Sequence, residues 1–438
     1  MGRDAFEAYL AYLEKNHDDL VLREGATETE RIRAGSAWRL VERLTYHRNP
    51  DPDFVRTFLL TYRTFATPVQ LLDMLARRLE APPPPELAYD SEAAGLWDSN
   101  VATPIRLRVF SVIKYWLVTH YTHDFSGNPD AEAALDSFAS TASSILPELA
   151  PRLLAQISKF RNGTGLESRY MGDTPPPPPR LPKALASADE TELPPGVSLS
   201  LFDVDPLEIA RQLSVMEMEI YRNIEPYECL NKAWSCSADD APHIITLARR
   251  FNTISRWVAT QVIQVGGSSL KRRAAVMKYF LLVAKHCREL DNFNGVMEIL
   301  SGLHSSPIFR LKKTWASLSR SVTAIHTELD ALISTAGNYK NMRELLRFVE
   351  PPVLPYLGIF LSDLTFIEDG MDDVVGPNQL VNFSKLRNIS VVISGIQMFQ
   401  VLPYNLVPIP AIQSWILTQP LISENDQYAL SLRFEPRQ

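Results

Sequence analysis

The sequence predicts an all-α fold built as two helical domains. Three observations predict it. Apolar residues recur at helical spacing along most of the chain, strand signals are few, and much of the proline is gathered into clusters between the periodic stretches. At 438 residues the chain is also too long for one ordinary core.

The elements follow in order. Residues 38–44 place Trp38, Val41 and Leu44 at helical spacing, and residues 54–62 and 69–79 repeat the pattern, with Leu71, Leu72, Leu75 and Leu79 on one stripe. Thr67 followed by Pro68 reads as a cap and a first-turn proline. Further helices are expected over 105–120, 131–145 and 149–160, with the proline-bearing insertion 81–98 as a loop. Prolines then dominate 163–197: Pro175 to Pro179, Pro182, Pro194 and Pro195 favour extended backbone and cannot donate backbone hydrogen bonds. This segment is expected to be a stiff linker, and the run 175–182, which contains Arg180, also fits a polyproline-reading domain. The expected organisation is therefore an N-terminal domain over 1–162, a linker over 163–197 and a second domain over 198–438.

In the second domain Asp205 before Pro206 opens a helix reaching Met218. Amphipathic patterns follow over 241–263, 270–288, 293–303, 315–332, 342–348, 355–366, 383–399 and 426–433. No internal repeat is evident, which counts against a helical-repeat adaptor.

Composition excludes several classes. A net charge of -7 disfavours an electrostatic nucleic-acid binder. No apolar run reaches membrane-spanning length, so no membrane insertion is expected. The three cysteines, Cys229, Cys236 and Cys287, lack metal-type spacing and read as reduced thiols of a cytoplasmic protein. There is no phosphate-binding GxxxxGK[ST] loop, no HExxH and no GxSxG, so no cofactor and no covalent catalytic constellation is expected. A helical protein of this kind works by binding and bending a partner.

Several ordered stretches carry a resemblance. FLLTYRTF at 58–65, within a matching stretch over 35–78, resembles the signature of the Ras exchanger motif. DVDPLEIARQL at 203–213, the helix holding Trp257, DNFN at 291–294, Met297 to Ile299, SGL at 301–303, PIFRL at 307–311 and Thr314-Trp315 resemble successive segments of the Ras exchange-factor catalytic domain. PPVLPYLG at 351–358, LSDLTFIEDG at 361–370 and NFSK at 382–385 match its most diagnostic blocks. The chain is thus similar to the guanine-nucleotide exchange factors of Ras-family small GTPases over most of its length.

That resemblance implies a partner, a Ras-family small GTPase (Ras, Rap or a relative), and a projecting helical hairpin over about 355–403 that wedges into it. Magnesium and nucleotide would belong to the GTPase, and any membrane recruitment would come through partners. By carry-over, Tyr356 faces the GTPase's switch II or serves as a core aromatic at the hairpin base. Thr365 stands where some members have a leucine near the magnesium site, and its smaller side chain changes how metal would be excluded. Asp369 points toward the phosphate-binding loop, with Glu368 as a neighbour one residue away. Arg249, with Arg250 as competitor, and His304, where the family has asparagine, fall on the switch II side. Asn292, Phe293, Asn294 and Arg310 are expected to be structural supports. The exchanger motif would stabilise the hairpin or bind a second GTPase. A helical scaffold that holds a GTPase without speeding exchange is the alternative, against which the acidic tip Glu368-Asp369-Gly370 argues.

Overall fold

The computed structural model describes residues 3–4, 6–7, 9, 20–22, 32–163, 175–185 and 199–436. Among the described residues the fold is all-α with one small sheet. Two compact units share the chain: Met1–Ser168 with Glu225–Lys232 and Asp363–Ile393, and Arg169–Ile224 with Ala233–Ser362 and Ser394–Gln438.

In the first unit several helices begin where the sequence supplies a cap. Helix α1 (Ala37–Leu44) is capped by Ser36, whose hydroxyl accepts from the Arg39 amide at 3.3 Å. Helix α2 (Pro52–Thr61) is capped by Asp51, which accepts from the Phe54 amide at 2.9 Å. Helix α3 (Pro68–Glu80) opens with a full capping box of Thr67 and Gln70. The insertion after it is not the expected loop. It forms α4 (Pro85–Ala88) and α5 (Ser91–Trp97), because Pro85 sits at a first helical turn, Asp90 caps the second helix, and Trp97 donates its indole N–H to the Ala81 carbonyl at 3.1 Å. Helices α6 (Thr103–Asp124), α7 (Pro129–Ile145) and α8 (Ala150–Arg161) complete the bundle.

The run 58–65 owes its residue types to this core. Phe58 and Tyr62 are fully buried. Tyr62 donates to Asp124 Oδ2 at 2.8 Å, Trp116 donates to the same oxygen at 2.5 Å, and Arg63 Nε donates to Asp124 Oδ1 at 2.7 Å. A carboxylate this buried is tolerated because charge-assisted hydrogen bonds surround it. The small sheet, of order β1-β2-β4-β3, was not expected. Strands β1 (Leu20–Leu22), β2 (Ile32–Gly35), β3 (Val374–Val375) and β4 (Leu380–Val381) pair antiparallel, with Gly35 opposite Val381.

The second unit is built from α9 (Pro206–Arg222), α10 (Pro242–Gln264), α11 (Leu270–Glu289) and α12 (Phe293–His304), followed by the short α13 (Ser306–Phe309) and α14 (Lys312–Ala316), then α15 (Arg320–Ile333) and α16 (Lys340–Leu346). Trp257, Phe280 and Leu300 lie in its core. Helices α10 and α12 approach closely at Gly302, where a Cβ would lie 2.4 Å from the Ser255 carbonyl oxygen, so only glycine fits. The single helix expected over 315–332 is broken, with α14 ending at Ala316 and α15 starting anew after an extended Ser319. An unexpected helix, α19 (Pro410–Leu417), precedes α20 (Glu424–Phe434).

The described part of the proline-rich segment is coil seated on α9. Arg211 donates to the Pro178 carbonyl at 3.0 Å, the Arg180 amide donates to Glu208 at 2.8 Å, and Leu185 is buried in the second unit's core. Pro194 and Pro195 lie outside the described residues. Among the described residues no helix is long and apolar enough to cross a membrane.

Candidate functional site

Helix α17 (Gly358–Gly370) and helix α18 (Phe383–Met398) form the two arms of a hairpin whose tip is the β3–β4 turn. The turn closes through Gly376, with φ of 71°, and Gln379, with φ of 50°. Asn382 organises the return. Its side chain donates to the Asp372 carbonyl at 2.8 Å, and its Oδ1 accepts from the Lys385 amide at 3.2 Å, capping α18 as its sequence position suggests.

The acidic tip separates into two kinds of carboxylate. Glu368 is only 8% exposed and lies 2.5 Å from Lys385 Nζ, and its other oxygen accepts from the Asn231 amide at 3.2 Å. Lys385 also donates to Asp373 at 2.6 Å. Burial alone would lower the Lys385 pKa, but its hydrogen bonds to Asp373 and Glu368 raise it, so the ammonium stays charged. Asp369, by contrast, is 63% exposed, with Lys232 as its ion-pair partner. Thr365, one turn earlier on α17, is half-buried. Lys232 escaped sequence reading because nothing near it in the chain marks it. It follows Asn231, and both residues hold left-handed backbone that presents the lysine toward Asp369.

The first unit's core reaches the return helix. Phe383 is fully buried and stacks on Phe54 with ring centroids 4.5 Å apart, and Thr57 and Ser390 share a hydrogen bond of 3.0 Å. Helix α2, from the N-terminal motif, thus supports the start of α18.

At the hairpin base, in the second unit, Tyr356 is half-buried between Phe251 and Tyr339, at ring distances of 5.7 and 5.8 Å. Burial and then Tyr339 push its phenol pKa up, so it remains a neutral donor. The ring folds over Gly358, where a Cβ would sit 2.4 Å from the ring carbon Cζ. Helix α17 begins at Gly358 and not at Pro355, because the preceding segment is held extended by residues 291–294. The Phe293 amide donates to the Leu354 carbonyl at 2.9 Å, and the Leu354 amide donates to the Asp291 carbonyl at 3.1 Å. Asn292 caps α12 by accepting from the Gly295 amide at 2.7 Å and donates to Ser214 at 3.0 Å.

Beneath this clamp lies a buried carboxyl pair that sequence reading missed. Asn294 donates to Glu217 at 3.1 Å and to Glu298 at 3.0 Å, and both acids are fully buried. Desolvation pushes both pKa values up, and for Glu298 the neighbouring Glu217 raises it further. The available signal was Glu217 between Met216 and Met218 in an otherwise apolar stripe.

Away from the hairpin, Arg249 is exposed on α10, whereas Arg250 is half-buried with Nη1 3.4 Å from Met216 sulfur. His304, at the end of α12, sets its Nε2 2.9 Å from His326 Nε2, and burial followed by His326 lowers its pKa. Arg310 donates to Ser431 at 3.2 Å and to the Glu435 carbonyl at 2.7 Å, tying α20 to the loop after α13.

Comparison with known proteins gives two family-model matches. A RasGEF domain model matches residues 208–387, and a RasGEF N-terminal motif model matches residues 31–140. Among curated relatives, Ras guanine nucleotide exchange factor J of Dictyostelium discoideum is 36% identical over 419 residues, covering 94% of this chain and 49% of the relative. Ras guanine nucleotide exchange factor A of the same organism is 35% identical over 399 residues, covering 89% of this chain and 62% of the relative. Cell division control protein 25 of Candida albicans is 31% identical over 420 residues, covering 93% and 30%. The chain therefore spans less than two-thirds of the length of each of these relatives.

Proposed function

Because this chain belongs to the family of Ras guanine-nucleotide exchange factors, we propose that it accelerates GDP release from a Ras-type GTPase by inserting the hairpin of residues 355–403 beside the nucleotide site, so that GTP can load. An exchange factor makes no covalent bond. It binds the nucleotide-free GTPase better than the loaded form, and by linkage weakens nucleotide binding by the same factor. Each tenfold in release rate requires about 1.4 kcal/mol of differential stabilisation. A wedge can deliver this only if it is stiff, since a hairpin that yields spends the binding energy on its own distortion.

The observation that carries the proposal is the division of labour at the tip: Glu368 is buried against Lys385 while Asp369 stands exposed one residue further on. In this reading Glu368 holds the tip rigid, and Asp369 leaves Lys232 to engage the cationic and hydroxyl groups that phosphate and magnesium vacate in the GTPase. Thr365 faces the magnesium position, Tyr356 anchors switch II from the hairpin base, and exposed Arg249 with His304 extends that contact. Asn292, Phe293, Asn294 and Arg310 are supports. The stacking of Phe54 on Phe383 favours a stabilising role for the exchanger motif.

The working organisation remains an exchanger domain over 1–162 and a catalytic domain over 198–438, in a cytoplasmic protein recruited to membranes through partners. Nucleotide and magnesium are the GTPase's own, and this chain needs no cofactor. The exposed prolines at 175–178, held on α9 through Arg211, suit capture by a polyproline-reading domain.

The test is release of fluorescent GDP from Ras, Rap, Ral and Rho-type GTPases with the wild-type chain and with Tyr356→Ala. Fast release from one Ras-family member, reduced at least tenfold by Tyr356→Ala, is expected. No acceleration with any member would overturn exchange and leave a GTPase-binding scaffold.

A further inference from the structure

A cluster on the second unit has the makings of a metal site. His304 ends α12, while His326 and Asp330 lie one turn apart on the same face of α15. The two imidazoles point Nε2 at each other across 2.9 Å, and Asp330 Oδ1 lies 3.9 Å from His304 Nε2. The donor atoms of all three residues fall within 4.8 Å of one another. The two imidazoles share this contact as a hydrogen bond, their rings head-on with centroids 5.2 Å apart, and an ion would take the place of that bond. With metal–nitrogen bonds of about 2.0–2.1 Å, two ligand nitrogens sit roughly 2.9 Å apart at a right angle and roughly 3.3 Å apart in a tetrahedron. His304 reaches such a geometry by turning so that its nitrogen and that of His326 converge on one point, and the Asp330 carboxylate by closing on them from 3.9 Å at His304. That movement is available because the Asp330 side chain is 57% exposed, and the same exposure gives an ion a path in from solvent. The ring of Trp315 packs 4.7 Å from that of His326 and limits how the imidazole can turn.

We propose that His304, His326 and Asp330 bind a divalent transition-metal ion, zinc foremost, which staples the end of α12 to α15. Two neutral imidazoles and one carboxylate suit zinc, copper, nickel or cobalt and disfavour magnesium and calcium, which prefer all-oxygen sites. Three protein ligands leave further positions for water or for a side chain of a docked partner. The proposal stands on this geometry alone and does not depend on exchange activity.

The experiment strips the full chain with a chelator, then titrates it with Zn2+ against a chromophoric competitor and with Co2+ while recording the visible spectrum. Wild type is expected to take up one equivalent of Zn2+ and to give a cobalt absorption displaced by zinc. Asp330→Asn, a change at an exposed position, is expected to weaken binding at least tenfold, and His326→Ala to abolish the stoichiometric uptake, with helix content by circular dichroism unchanged in Asp330→Asn. Uptake that both variants leave intact would show zinc held elsewhere and overturn the proposal. Absence of stoichiometric uptake by the wild type at micromolar metal would overturn it equally.

Discussion

Neighbouring carboxylates on one turn of a helix have opposite fates here. Glu368 is consumed by Lys385 and the Asn231 amide, while Asp369 is exposed and, among the described residues, ion-paired with Lys232. An exposed ion pair of that kind contributes little to stability. Asp369→Asn is therefore expected to leave the melting temperature within a degree or two while slowing GDP release roughly tenfold or more, a change of about 1.4 kcal/mol in the barrier. Glu368→Gln should show the reverse emphasis, destabilising by about 1.5–3 kcal/mol, the range for a lost hydrogen bond to a charged group. Calorimetry and GDP-release assays on the two variants separate the roles, and equal loss of stability in both would refute the division. The buried pair Glu217 and Glu298 makes a second prediction. Their folded pKa values lie above the ordinary glutamate value of 4.5, since burial disfavours the charged form and Asn294 and Arg250 offset it only in part. The folded state then binds more protons than the unfolded chain. The pair's contribution is full below pH 4.5 and declines as pH rises through the folded values. Glu298→Gln should flatten that decline in urea midpoints measured from pH 5 to 8, and an unchanged pH slope would contradict the assignment.

At the scale of elements, two clamps position the hairpin. One is the strand-like exchange of backbone hydrogen bonds between residues 291–294 and Leu354, which sets where α17 starts. The other is the packing of α2 on α18 through Phe54 and Phe383. Aromatic truncations in a core cost about 3–5 kcal/mol. Phe54→Ala is expected to lower stability by that amount and to slow exchange, although it lies in the N-terminal motif and touches no GTPase in the proposed complex. A Phe54→Ala chain of normal stability and full exchange rate would show that this packing does not support the hairpin. The FLLTYRTF run was readable as a helix, and its Tyr62 and Arg63 find their purpose only at Asp124, which lies 62 and 61 residues away.

At the scale of the molecule, the compact units do not follow the order of the chain. Residues 363–393, which hold the hairpin tip, share a core with the N-terminal helices. A chain cut down to residues 198–438 would expose Phe383 and Leu386, both members of that core. It is expected to be poorly soluble or to have a much lower melting temperature than the full chain, with exchange slowed more than tenfold. Sedimentation, thermal melts and GDP release compare the two. A soluble short chain with undiminished exchange would mean that the first unit is dispensable to the hairpin.

The sequence by itself determined the all-α class, most of the helices, the capped starts at Thr67, Asp205 and Asn382, and the order of motifs that marks the family. These are local properties, since helical periodicity and a cap's bond to an amide two or three residues ahead are written within a single turn or two. Only the tertiary structure decided that the insertion after α3 is helical, that β2 pairs with β4, that Glu368 is buried while Asp369 stays exposed in an ion pair with Lys232, and that His304 meets His326. Each of those depends on groups brought together from distant positions, such as Thr57 and Ser390 across 333 residues. A contact of that separation leaves no trace in local spacing, because it exists only once the rest of the core has formed around it.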